Sequence, residues 1–400
     1  MGANMNHYIA LLRENETLRR LSFIQLICYF GAWFSHMAIY TLLIQLGAPV
    51  WALSTAAAFT FLPAMLLAPF SGAIIDKVNT KHFMLFLTAI EIVTVFWLMF
   101  IHSLDALWIL LGLIFVRMGT GSIYFQTEMS LLPKLLSNND LKLANEIHSI
   151  IWAVSYAFGM AISGFYIHYF GTTSAFVADM ILYCVGFALL LKLNIPSLAT
   201  NHALHVKAMM MEGFLYLKRH PKIVHLILLH ASVGLSAYDA LIALLADHEY
   251  KHLLSIPLVI GFINATRAIS LVFGQFFLSP FINAKTLFYV FIAQGLSIVL
   301  WGVLQFDFYF SFIGILLCGL FTATLWSYTY TLLQYETDEA FYGRVIAYND
   351  MVFMGMSTFV SFAIGALFEW GVALWMITCV LGCSFVLFGF YWKWVQKIHN

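Results

Sequence analysis

The sequence predicts an all-α polytopic membrane protein of twelve transmembrane helices in two six-helix bundles. Three observations predict it. Hydrophobic residues make up 62% of the 400-residue chain and charged residues only 10%, too little polar surface for a water-exposed globule. About twelve long apolar runs follow one another, each with the roughly 20 residues that cross about 30 Å of hydrocarbon as a helix. Nearly all of the nineteen Lys and Arg residues fall in every second gap between those runs. Formal net charge is zero and no basic stripe exists, so nothing points to a nucleic-acid partner.

The runs lie near 20–46, 51–75, 83–101, 107–127, 147–169 and 173–193, then 223–246, 256–280, 286–304, 308–333, 345–369 and 371–392. Sixteen basic residues share one side of the membrane: Arg13, Arg19, Arg20, Lys77, Lys81, Lys134, Lys142, Lys192, Lys207, Lys218, Arg219, Lys222, Lys285, Arg344, Lys393 and Lys397. The opposite side holds Lys251, while Arg117 and Arg267 lie within runs. Excess positive charge stays cytoplasmic, so both termini are expected there, in a bacterial inner membrane. Residues ahead of the first run are polar and lack a small-residue cleavage site, so that run is expected to be retained. Connections on the far side, such as Gly47–Val50 and His102–Ala106, are short and imply tight antiparallel neighbours.

The longest interruption is Asn194–Lys222, on the basic side. It divides the chain into a first bundle at 1–193, a linker at 194–222 and a second bundle at 223–400. Within the linker, Met209–His220 mixes apolar and basic residues and is expected to form an amphipathic helix at the interface. Two halves of six spans are the layout of bundles that rock about a central site.

Charges inside apolar runs are the sharpest clue to chemistry, since each costs roughly 2.5–3.5 kcal/mol at mid-membrane. Glu91 lies about 12 Å from the basic side and Arg117 about 15 Å, on adjacent spans, so they are expected to pair. Asp239 and Arg267 fall at about 24 and 20 Å in the second half and are expected to pair likewise. Each pair reads either as a static lock between helices or as a carboxylate that exchanges its arginine for a proton. Asp239 is the preferred proton carrier. Asp179, in the sixth run, is the weaker candidate and reads equally as a bond between helices.

Trp33, His36 and Tyr40 fall three and four apart, on one helical face, and Trp326 with Tyr330 makes a similar face in the tenth run. These are the substrate-cavity candidates, with ordinary packing as the alternative. His248 and His252, beside Asp247 and Glu249, have a helical metal-ligand spacing, but solvated loop residues are the favoured reading. Cys28, Cys184, Cys318, Cys379 and Cys383 all sit in apolar runs and imply neither disulfide nor metal finger. No phosphate-cradling loop, catalytic triad or other enzymatic spacing appears, so neither enzyme chemistry nor a cofactor is expected.

Several stretches resemble the major facilitator superfamily. Gly72-Ala-Ile-Ile-Asp76-Lys77-Val-Asn79-Thr80-Lys81 resembles its cytoplasmic gate motif, with Asn79 and Thr80 departing from it; asparagine also tolerates a left-handed turn. Arg117 followed by Gly121 resembles a motif tied to proton coupling. Gly159-Met-Ala-Ile-Ser-Gly164 is similar to an antiporter motif, with Met160 and Ser163 as departures. Leu132-Pro133 through Leu141, Ala144-Asn145, Phe176 and Asp179, then Glu212-Gly213-Phe214, Arg219-His220-Pro221 and Tyr342-Gly343-Arg344-Val345, resemble the efflux branch that holds enterobactin exporters and macrolide efflux proteins.

That resemblance implies the major facilitator fold, with a mid-membrane cavity between the halves. It implies a gate in which Asp76 faces the start of the eleventh span near Gly343 and Arg344, with Lys77 and Lys81 alongside. The function expected is a proton-coupled exporter of an amphipathic small molecule: a drug, macrolide or siderophore. The alternatives are uptake of a metal chelate, metal ion or lipid, and a non-transporting sensor or scaffold. Its expected partners are the substrate, protons and the bilayer, with no obligate protein partner evident.

Overall fold

A computed structural model describes residues 5–75, 77–136, 138–195 and 206–399. Among these the chain is helical throughout, without a strand. Short helix α1 (Met5–Glu14) is tied down by Tyr8, whose hydroxyl donates to Glu146 at 2.7 Å. Asn15 then caps α2 (Glu16–Gln45), its side chain accepting from the Leu18 amide at 2.9 Å. The second crossing is split into α3 (Val50–Phe59) and α4 (Leu62–Ile75). Pro63 stands in the first turn of α4 and has no amide to continue the ladder of α3, which accounts for the break.

Asn79 caps α5 (Thr80–Leu98) by accepting from the His82 amide. Its φ of −65° is ordinary, so the left-handed turn that asparagine tolerates is not used. After α6 (Leu107–Leu135) comes α7 (Asn138–Leu191), 54 residues long and broken by non-helical φ/ψ at Gly171. At 1.5 Å per residue a straight α7 would reach about 80 Å, far beyond a bilayer. It doubles back instead. Gly159 packs on Trp33 of α2, Asp179 also meets α2 beside Gly31, and Gly186 sits against Cys28. Rising residue number approaches the start of α2 after Gly171 and departs from it before, so the strand of helix reverses there. Gly171 has φ +81°, a conformation that side chains with a Cβ rarely adopt. Eleven helical stretches among the described residues are long and apolar enough to span a membrane, and the doubled one supplies the twelfth crossing.

The linker forms α8 (Val206–Arg219). It buries Gly213, Tyr216 and Leu217 while exposing Met211, Phe214 and Leu215. The seventh crossing departs from the single helix expected over 223–246. It consists of α9 (Pro221–Ala231), a tight 3₁₀ segment Ser232–Ser236, α10 (Asp239–Leu244) and a π-turn Leu245–Glu249. The remaining crossings are α11 (Ile256–Leu278), α12 (Leu287–Leu304), α13 (Phe308–Glu336), α14 (Tyr342–Glu369) and α15 (Leu374–His399).

Large apolar side chains such as Phe86, Trp108, Phe310 and Leu387 lie on the outside, as suits a protein whose solvent is lipid. The two halves meet where α7 packs on α11 and where α3 and α4 pack on α14. Near the end opposite the basic loops this seam is tight. Trp51 donates its amide to Glu369 at 2.9 Å, and Ser255 shares a 2.8 Å hydrogen bond with His168. A Cβ on Gly164 would stand 2.8 Å from the Pro257 carbonyl oxygen. Gly164→Val should therefore destabilise this seam by about 1–3 kcal/mol, loosening it roughly 5- to 150-fold. Faster far-side labelling of a cysteine placed at Ser255 checks this; an unchanged rate would refute it.

Candidate functional site

Three helices bring charge to the middle of the first half, and a fourth adds a hydroxyl donor. Arg117 of α6 is 2% exposed and donates to Asp179 of α7 at 2.7 Å. Its other terminal nitrogen lies 3.5 Å from Glu91 of α5, a charge contact without a hydrogen bond. Ser35 of α2 donates a short hydrogen bond to the same Asp179 oxygen. The guanidinium also stands 5.4 Å from the Tyr183 ring centre. Small residues make room: a Cβ on Gly31 would fall 2.6 Å from Asp179, and one on Gly121 would meet Glu91 at 3.3 Å.

The expected Glu91–Arg117 pair is thus present but is the longer arm of a triad. Asp179, the weaker candidate by sequence, is the direct partner. Depth along separate helices ranks candidates by height alone, and only the reversal at Gly171 turns Asp179 toward α6.

In the second half the expected Asp239–Arg267 ion pair is absent from the described ion pairs. Arg267 donates to the Ser236 carbonyl at 2.9 Å and stacks on Tyr238 at 5.0 Å. The broken seventh crossing explains the change. The Ser236 carbonyl, out of the regular helical ladder, accepts from the Tyr238 amide at 2.9 Å and takes Arg267 as a second donor. Gly234 permits the break to pack closely, since a Cβ there would meet Ser357 and the Phe353 carbonyl of α14 near 3 Å. Asp239 instead faces His36 of α2, with Oδ1 to Nε2 at 3.9 Å. Both are largely enclosed, and the contact joins the two halves.

His36 stands between Trp33 and Tyr40, with ring centres 5.6 and 5.1 Å away, as the spacing on α2 predicts. The structure adds Trp152 and Tyr156 of α7, which sequence reasoning missed. Tyr156 lies 4.6 Å from Trp33 and stacks on Trp152 at 5.4 Å. Its hydroxyl donates to Asn264 of α11 at 3.2 Å. A second cluster forms where Trp326 and Tyr330 stack at 5.4 Å, with His230 against both rings. His230 in turn shares a 2.9 Å hydrogen bond with Thr329. The spacing of 152 and 156 on one helical face was available in the sequence; their approach to Trp33 was not.

At the basic end, Asp76 of the expected gate lies outside the described residues. Arg344 pairs with Glu212 of α8 at 3.0 Å and donates to the Ala340 carbonyl. Lys81 donates to the Leu191 carbonyl at 2.8 Å, while Lys77 and Gly343 are exposed. Gly72 lies within α4. At the far end a cavity of ≈ 250 Å³ opens beside Gln45, His168, Lys251 and Ser255, and no predicted site residue lines it. His248 sits in the π-turn, 3.6 Å from Asp247, which also holds Lys251 at 3.2 Å. Among the described residues no three His, Cys, Asp or Glu side chains are grouped to hold a metal ion.

The arrangement separates two chemistries. The triad lies wholly among helices of the first half, α2, α5, α6 and α7. The His36–Asp239 contact instead joins α2 to α10 of the second half.

Comparison with known proteins agrees with this fold. The fold matches the nucleoside transporter NupG, in its D323A form, with a TM-score of 0.74 at 14% identity, covering 95% of this chain and 98% of that one. A bacterial homologue of the iron transporter ferroportin in its inward-facing state gives 0.69 at 14% identity, covering 94% and 98%. In sequence the chain is 28% identical over 221 residues to the uncharacterized MFS-type transporter YfiS of Bacillus subtilis (strain 168), covering 53% of this chain and 51% of that one. YvqJ, an uncharacterized MFS-type transporter of the same organism, is 25% identical over 173 residues, covering 42% and 41%. The chain thus aligns with about half or less of the length of these relatives. The family model described as Major Facilitator Superfamily matches residues 21–361, and this chain belongs to that superfamily of transporters.

Proposed function

We propose that the protein is a proton-driven transporter that exports an amphipathic small molecule by alternating access, with its basic loops in the cytoplasm. The moving bodies are residues 1–193 and 223–400, joined by 194–222. The observation that carries the reading is the titratable pair His36–Asp239, held at 3.9 Å between the halves. Histidine is the side chain whose ordinary titration lies nearest physiological pH, and a carboxylate attracts a protonated ring more strongly than a neutral one. Loading or unloading a proton there changes the attraction between the halves. The aromatic surfaces around His36 and around Trp326 support a substrate with apolar area and a π-face. Trp152 and Trp326, each more than two-fifths accessible, offer the substrate aromatic surface in this reading. Lys77, Lys81, Gly343 and Arg344, with Asp76, form the cytoplasmic gate in this reading, and the Arg344–Glu212 bridge makes α8 part of it.

The test uses inside-out vesicles carrying a proton gradient, challenged with ethidium, erythromycin and a catecholate siderophore. Export predicts substrate-induced proton release that falls by roughly tenfold or more in Asp239→Asn and persists in the surface variant Lys285→Gln. Proton release equal in Asp239→Asn and wild type would remove the coupling role of Asp239. Substrate movement in the opposite direction would replace export by uptake.

A further inference from the structure

One buried acid has no part in the two charge sites. Glu128 of α6 is 3% exposed, and its Oε2 is enclosed without a hydrogen-bond partner. The apolar run in the sequence stops at residue 127, one short of Glu128. The helix continues to Leu135 and carries it inside.

The position is informative. Arg117, Gly121, Tyr124 and Glu128 follow one another at steps of four, three and four, which places them along one face of α6. Glu91 already touches that face at Gly121. Glu128 therefore lies about 16 Å from the level of Arg117, on the side of the basic loops. Its electrostatic neighbours are Tyr124 on its own helix and Cys28 and Tyr29 on α2. One turn further along α2, Gln25 bonds His148 of α7 at 2.6 Å, and the His148 ring packs on Phe125 of α6. From α5 the facing charge is Glu91, higher up. On the α4 side, Ser71 bonds Gln126. None of these supplies a cation to Glu128, and the described ion pairs do not include it. A carboxylate in so dry a place without a partner is not tolerated; the group neutralises instead.

We propose that Glu128 is a second proton site, placed between the Glu91–Arg117–Asp179 triad and the basic end and loaded in the conformation described. Its O–H proton passes to water entering from the basic end, leaving the carboxylate, and returns by the reverse step. Its part in coupling rests on the proton-driven reading above; its proton occupancy does not.

Infrared difference spectroscopy on the purified full chain in lipid nanodiscs, taken between about pH 5 and about pH 10 with no substrate, tests the assignment. Wild type should show a protonated carboxyl band near neutral pH that Glu128→Gln lacks and Glu16→Gln retains. Potentiometric titration over the same range should release about one proton fewer from Glu128→Gln. Glutamine matches the neutral acid in shape and charge, so the variant should fold with unchanged Tm. An identical band and proton count, or loss of folded protein in Glu128→Gln alone, would each mean an ionised or partnered group and overturn the proposal. If Asp239→Asn keeps coupled transport, the functional reading falls while the band still decides Glu128.

Discussion

Asp179→Ala should destabilise the protein by about 3–5 kcal/mol, the largest effect expected of any single side chain here. Arginine cannot shed its charge, so removing the carboxylate 2.7 Å away leaves Arg117 buried with Glu91 alone, at 3.5 Å and without a hydrogen bond. Ser35 loses its acceptor as well. Thermal unfolding in nanodiscs should show a fall of about 5–10 °C. Asp179→Asn keeps an acceptor for both donors and should cost less. Glu91→Gln should cost least, because its contact with Arg117 is the long one. The double variant Arg117→Leu with Asp179→Leu should be more stable than Asp179→Ala, since burying no charge is better than burying one unpaired. A double variant less stable than both of its parents would show that the triad is worth more than its charges.

The second large effect is expected at Gly274→Val, about 3 kcal/mol. A Cβ on Gly274 of α11 would run into the Leu320 backbone of α13, within 2.8 Å of its Cα. Two turns earlier on α11 the approach is reciprocal, where a Cβ on Gly319 of α13 would lie 2.8 Å from the Arg267 carbonyl. Helices in lipid associate through such close backbone contacts because water does not drive them together. A backbone cannot rotate aside as a side chain can, so α11 must move, and Arg267 moves with it. Gly112→Ala is the control, since nothing lies within 4 Å of the position of its Cβ. Equal thermal stability of Gly274→Val and Gly112→Ala would discard the contact as a determinant.

The aromatic face of α2 was legible because Trp33, His36 and Tyr40 depend on helical spacing alone. The Glu91–Arg117 contact was legible because both residues lie at similar depth on helices adjacent in sequence. Arg267 misled for a definite reason: its partner is a backbone carbonyl, and no sequence pattern announces where a helix will release one. Glu128 was hidden because hydropathy marks where apolar residues stop, while the helix and the protein interior extend further.

By itself, then, the sequence determined the medium and the number of crossings. Burying backbone polar groups in lipid allows a long apolar run only one form, and that argument needs no neighbour. Tertiary structure decided the pairing of the charges: that Asp179 outranks Glu91, that Asp239 meets His36 across the halves, and that Arg267 bonds a carbonyl of a broken helix. Those choices turn on rotations of a helix about its axis and on reversals such as that at Gly171. A residue's depth is a property of its own chain segment, but the direction it faces is set by packing against the others.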